Sequence, residues 1–130
     1  LQWPAKIRIM PQYIFRQSGP AIFGAEVLDG KLTPNVEVIN KDGKVVGRVK
    51  TIEDKGKKLT ELIKGKEAAL SVEKLTLGRG ADGGDFLITN MSESAFRKLK
   101  NKKHLLSKSE VEVLKELAEI KRKENDLWGI

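Results

Sequence analysis

YIFRQSGPAIFGAEVLDGKLTPNVEV, spanning Tyr13 to Val38, is written in the pattern of a small β-barrel. Ala21 to Leu28 is an apolar run interrupted by Glu26, Asp29-Gly30 reads as a turn, Thr33-Pro34-Asn35 as a second turn, and Val36 to Ile39 resumes the strand. Gly24 removes a side chain from mid-strand. In a closed barrel such a residue either bends the strand or lets another group approach its backbone.

Working outward, Leu1 to Pro4 is a lead-in, and Ala5 to Met10 alternates as a half-buried strand that Pro11 is expected to end. Lys41-Asp42-Gly43-Lys44 between two apolar runs is a strong hairpin signal, and the strand after it is expected to reach Ile52. Lys55 to Lys58 reads as a basic loop and Leu59 to Ile63 as a short element. Gly65 turns the chain into the apolar run Ala68 to Val72. The glycine-rich stretch Thr76 to Gly84 precedes a last strand, Asp85 to Thr89. About six or seven strands with turns every eight to twelve residues fit a small barrel.

Near Met91 the periodicity becomes helical, and neither glycine nor proline occurs from Asp85 to Trp128. Ser92 is placed to cap a first helix with Met91 and Phe96 as a hydrophobic staple. Ser107 and Glu110 form a capping box for a second, with Leu106 stapled to Val111. Val111, Val113, Leu114, Leu117, Ala118 and Ile120 cover half of the second helix, more than docking on one core needs. The expected division is therefore a barrel over residues 1–91 and a two-helix extension over residues 92–130. Trp128, beside Leu127 and Ile130, is expected to close over the interhelix groove or to meet a partner.

Composition excludes several chemistries. The 130 residues contain no cysteine and one histidine, His104, so disulfides, thiolate metal sites and histidine relays are ruled out. No run approaches a membrane span and no signal-peptide layout is present, so an intracellular, cytoplasmic location is expected, with no membrane partner. The start at Leu1 reads as a piece of something longer. A net charge of +7 favours polyanionic partners. Two basic groups stand out: Arg48, Lys50, Lys55, Lys57 and Lys58 near one hairpin, and Arg97, Lys98, Lys100, Lys102 and Lys103 around the first helix. Either can be a solvated face or a phosphate contact.

No catalytic constellation emerges. Gly78-Arg79-Gly80-Ala81-Asp82-Gly83 has the letters of a dinucleotide fingerprint, but a strand follows it where that motif needs a helix N-terminus. The four Gly-Lys pairs are followed by Leu32, Val45, Lys58 and Glu67 rather than Ser or Thr, so no phosphate-binding loop exists. Asn40-Lys41-Asp42 belongs to the hairpin. Glu53 and Asp54 read as solvated surface rather than an acid/base pair, and His104 as an interhelix loop residue.

FRQSGPAIFGAEVLDGKLTPNVEVINKDGKVVGRVKTIEDKGKKLTELIKGKEAALSV resembles the fourth, C-terminal domain of archaeal translation initiation factor five B, the counterpart of bacterial initiation factor two. FRKLKNKKHLLSKSEVEVLKELAEIKRKENDLWG resembles the two-helix extension of the archaeal and eukaryotic factors, so the likeness covers Pro4 to Gly129. It implies a mainly β fold with an α appendage: a closed barrel like domain II of elongation factor Tu, then two C-terminal helices. It also implies a non-enzymatic binding domain of a GTPase that joins ribosomal subunits. No cofactor is expected in this chain, GTP and magnesium belonging to a GTPase domain outside this sequence. The resemblance carries contact with the acceptor end of initiator methionyl-tRNA onto Phe15, Arg16, Gly24, Ala25, Lys55 and Glu67. It carries contact with initiation factor one A onto Phe96, Leu99, Leu105, Leu106, Val113, Leu117, Leu127 and Trp128. The alternative is a protein-interaction or structural domain with no direct RNA contact. Salt dependence of RNA binding separates the two readings.

Overall fold

The computed structural model describes residues 2–130; Leu1, the first residue of the lead-in, lies outside the described residues. The strands are β1 (Ala5–Arg16), β2 (Ala21–Leu32), β3 (Val36–Ile39), β4 (Val45–Asp54), β5 (Lys57–Lys58), β6 (Leu62–Ile63), β7 (Glu67–Glu73), β8 (Thr76–Leu77), β9 (Gly80–Ala81) and β10 (Phe86–Thr89). The helices are α1 (Glu93–Lys100) and α2 (Lys108–Arg122), joined through a 3-10 turn at Lys103–Leu105. Antiparallel pairing runs β1–β10–β3–β4–β7–β2, and β2 pairs back onto β1, so six strands close a ring. Inside lie the alternate residues of each strand, with Ile7, Ile9, Phe23, Ile52, Leu70 and Leu87 fully buried. Each such side chain contributes about 1.5–3 kcal/mol on burial.

The barrel and two helices are as expected; several strand ends are not. Pro11 does not end β1. Ile9 pairs with Ala25 and Ile14 with Phe23, so four residues, Met10 to Tyr13, stand opposite the single Gly24. In that bulge a missing N–H costs no ladder hydrogen bond, which is where a strand tolerates proline. Asp29-Gly30 is likewise not a turn. Lys6 pairs with Asp29 and Ile7 with Val27, leaving Leu28 as an extra residue, and β2 continues through Gly30 (φ 82) to Leu32. A Cβ at Gly30 would lie 2.1 Å from the Pro4 carbonyl oxygen, so only glycine fits. The basic loop contains β5, which folds back on β4, and the Leu59–Ile63 element shrinks to Leu62–Ile63. The glycine-rich stretch is a parallel pair of two-residue strands leading into β10.

A second core joins the extension to the barrel. Ile39 and Ile88 from the barrel meet Met91, Phe96, Leu99, Val113, Leu114, Leu117, Ala118 and Ile120. Both caps form: Ser92 Oγ accepts the Ala95 N–H at 3.1 Å, and Ser107 and Glu110 complete the capping box. Here the two bulged strands and the helices become one object. The Gly30 N–H donates to Ser109 Oγ at 2.6 Å, and that hydroxyl donates to Asp29 Oδ1 at 3.1 Å. Lys6 Nζ adds an ion pair to Glu116 at 2.9 Å.

Removing Ser109 Oγ should orphan a half-buried backbone donor. Ser109→Ala is expected to cost about 1–3 kcal/mol in denaturant unfolding, whereas Ser94→Ala, exposed on α1, should change stability by less than about 0.5 kcal/mol.

Candidate functional site

Gly24, Ala69 and Glu53 are side-by-side neighbours on β2, β7 and β4. They share the outer face of the sheet, because their partners one residue along, Ala25 and Ala68, are in the core. Two small residues in a row leave a trough. Phe15 and Tyr13 wall it on one side, the Asp54-Lys55 corner on the other, with Met10 and Glu67 also lining it. The trough thus gathers Phe15, Gly24, Lys55 and Glu67 of the residues expected to touch RNA.

Each wall has a local cause. The four-residue bulge in β1 and a further register shift at Phe15, between the Ile14–Phe23 and Arg16–Ile22 pairs, turn Tyr13 and Phe15 outward, where they are 48% and 65% exposed despite their apolar rings. Lys55 and Gly56 have φ of 52° and 80°, the paired left-handed conformation of a two-residue type I′ turn, for which Asn-Gly is the favoured sequence. A lysine there is held at a cost of roughly 1–2 kcal/mol relative to glycine, and non-glycine residues held this way concentrate at functional sites. Among the described residues, neither Lys55 nor Glu53, Asp54 or Glu67 has an ion-pair partner within 4.0 Å. The trough therefore presents an unneutralised cation at its rim, carboxylates along its floor and two aromatic rings.

Other expected residues fall elsewhere. Ala25 is fully buried and paired on both sides, to Ile9 and Ala68, so its side chain reaches no ligand. Arg16 is exposed near the tip of β1, its Nε donating to the Ser18 carbonyl at 3.0 Å. The space above Gly24 is not open for a ligand backbone: a Cβ there would lie 2.9 Å from Tyr13 Cβ. The basic group near the hairpin also divides. Arg48 is seven residues from Lys55 along one strand, about 23 Å at about 3.3 Å per residue, and is turned to Asn35 and Glu37. Tyr13, Met10 and Ala69 were not anticipated. The signal for Tyr13 lay in three consecutive apolar residues, Tyr13-Ile14-Phe15, which cannot all face one side of a strand.

On the extension, Leu99, Val113 and Leu117 are buried in the second core, so they dock the helices and are not a free surface, while Phe96 is buried there too but also lines the groove described below. Leu105 and Leu127 are exposed, and Leu106 is half-buried. Trp128 lies over Phe96, ring centroids 4.7 Å apart. Its carbonyl accepts from Arg122 Nε at 2.7 Å, and the Gly129 N–H donates to Glu93 Oε2 at 2.7 Å. Beside this closure runs a groove floored by Val111, Leu114 and Ala118 and rimmed by Lys100, Lys103, Lys115 and Arg122, with Glu119 as its acid.

Comparisons with known proteins agree with the fold. The family model described as elongation factor Tu domain 4 matches residues 3–88. A probable translation initiation factor IF-2 of Methanopyrus kandleri is 44% identical over 128 residues, covering 98% of this chain and 21% of that protein. The Aeropyrum pernix counterpart is 42% identical over 125 residues, 95% of this chain and 20% of its own length. The crystal structure of GDP-bound aIF5B from Aeropyrum pernix superposes with a TM-score of 0.94 at 40% identity, covering 99% of this chain and 22% of that one. The chain thus spans about a fifth of the length of the relatives it matches.

If Gly24 serves Tyr13, the two positions should be coupled. Gly24→Ala is expected to cost about 1–3 kcal/mol as an overpacked contact, and the penalty should shrink by at least about half in a Tyr13→Gly background, which removes the Cβ that the new methyl would meet, read from a double-mutant cycle of unfolding free energies.

Proposed function

From the premise that the chain belongs to the elongation factor Tu domain 4 family, in the form carried by archaeal IF-2 proteins, we propose that it is the non-catalytic RNA-end-binding domain of a translation initiation GTPase acting on the ribosome. The trough receives the aminoacylated acceptor end of initiator methionyl-tRNA. What supports this reading is Lys55, an unpaired cation fixed in a left-handed turn beside two exposed aromatic rings. Aromatic faces stack bases without regard to sequence, and a rim cation neutralises a backbone phosphate. The floor at Ala69 gives shallow room for an aminoacyl group beside Tyr13. Phe15, Tyr13 and Lys55 are the contact residues of this reading, Glu67 borders the aminoacyl end, and Arg16 serves phosphates further along the strand.

A second contact is favoured by the groove of the extension. Its apolar floor and four-cation rim suit a segment of alternating aliphatic and acidic residues, which in this reading initiation factor one A supplies. Leu105, Leu106 and Leu127 border the helices as apolar edges. In this reading Trp128 supports the groove from behind through Phe96 rather than entering it.

Lys55→Asn separates function from stability. It should gain about 0.5–1 kcal/mol in unfolding because asparagine accepts the turn. The same change should weaken binding of a methionylated acceptor-stem minihelix and lower the salt slope by about 0.7, one single-strand phosphate contact. Equal affinity and slope in parent and variant would remove the trough as the site. For the groove, Lys103→Glu should slow association with a factor one A tail peptide in stopped flow, with much less change in dissociation.

A further inference from the structure

Three carboxylates, Glu53, Asp54 and Glu67, line the trough, although acids repel the phosphates that Lys55 attracts. The placement of the two glutamates follows from strand register. Glu53 on β4 stands opposite Ala69 on β7, and Glu67 precedes Ala69 by two residues on the same strand. Glu53 and Glu67 are therefore diagonal neighbours on the outer face, with Cα atoms roughly 7–8 Å apart. Ile52, Ala68 and Leu70, the residues between them in the pleat, are in the core.

Folding does not account for this pair. On its other side Glu67 stands directly opposite Glu26 of β2, and like charges in that arrangement weaken a sheet. Glu26 is taken by Arg8 at 3.6 Å. Glu53 has Lys58 as its strand neighbour on β5, yet among the described residues neither Glu53 nor Glu67 has a cation within 4.0 Å. Nor, among those residues, do three carboxylates converge as they do around a metal ion. Two unpaired carboxylates on either side of a small side chain suit a compact cation with several donors. An ammonium has three N–H groups and can bridge them.

We propose that Glu53 and Glu67 bind the protonated α-amino group of the aminoacyl residue, so that the trough selects an acceptor end whose amine is free. The inference rests on the trough being the aminoacyl-end site. It gives the acids a task that phosphate binding alone does not: the ligand's end is itself dipolar, anionic at its last phosphate and cationic at its amine. The trough matches both signs, with Lys55 at the rim and the glutamates on the floor. An acylated amine carries no charge and forfeits the contact.

The test uses the whole 130-residue chain and three acceptor-stem minihelices. One carries methionine through a stable 3′-amide, the second carries the same group with the α-amine replaced by hydroxyl, and the third is unacylated. The hydroxyl keeps the size of the amine and removes its charge. At about pH 6.5, below the usual α-amino range of about 7.7–8.0, the amine form should bind the parent about tenfold tighter than the hydroxyl form, the worth of one charge-assisted hydrogen bond. In E53Q/E67Q that ratio should fall to about one, while the hydroxyl form binds at least as well as it does the parent, since two charges that repel phosphate are gone. A parent that binds both acylated forms equally, and both better than the unacylated one, would overturn the proposal and leave the trough as the aminoacyl-end site. A ratio unchanged in E53Q/E67Q, or a loss of both forms together, would also overturn it. Equal binding of all three minihelices by the parent would remove the underlying reading as well.

Discussion

The pairing of β1 with β2 is the constraint on which the rest of this structure depends. A closed ring of six strands must bend sharply, and β1 and β2 accommodate the bend by register shifts against each other. One shift, at Leu28, leaves the Gly30 N–H without a strand partner and gives it to Ser109, so the closure of the barrel also fixes where α2 begins. The other two, at Met10 to Tyr13 and at Phe15, place two aromatic rings on the outer face. Extension and trough are thus two consequences of one irregular strand pair. A perfectly regular β1–β2 pair would place Tyr13 on the pleat and take away both the trough wall and the free Gly30 N–H that Ser109 accepts.

The extension is stabilised in the same spirit, by satisfying ends as well as by burying faces. Its core needs Ile39 and Ile88 from the barrel, its helices begin at side-chain caps, and its last residues are held by Arg122, Glu93 and the tilted ring of Phe96. Gly129 is part of that closure, since a Cβ there would meet the Phe96 ring at 2.7 Å. The wide apolar arc of α2 is explained by this double duty. Most of it meets the barrel and α1, and Val111 with Leu114 and Ala118 floors the remaining groove.

Regular elements were legible in the sequence because they rest on local signals. The Asp42-Gly43 hairpin, the Ser92 cap and the Ser107–Glu110 box each need only a few neighbouring residues, and each formed where its letters stand. The bulges were not legible. Pro11 and Asp29-Gly30 carry the same letters in a turn as in a bulge, and only the partner strand decides which they are. Site residues followed the same division. Phe15, Gly24, Lys55 and Glu67 meet in space, yet Ala25 is on the inner face because strand alternation places it one residue from Gly24. Among the extension's candidates, Phe96, Leu99, Val113 and Leu117 carry no mark in sequence that separates a docking face from a partner face, since both are simply apolar.

The charge of +7 acquires meaning only once it is placed. Arg48 is held by the Asn35 carbonyl and Glu37, while Lys55 is an unpaired cation at the lip of an aromatic trough that also carries Glu53, Asp54 and Glu67. The most direct measurement is an amide NMR titration of the labelled chain with a methionylated acceptor-stem minihelix against its uncharged form. The account predicts that methionylation adds shifts confined to Tyr13–Arg16, Gly24, Asp54–Gly56 and Glu67–Ala69. Shifts that are identical for the two forms, or that fall on α1 and α2 alone, would contradict it.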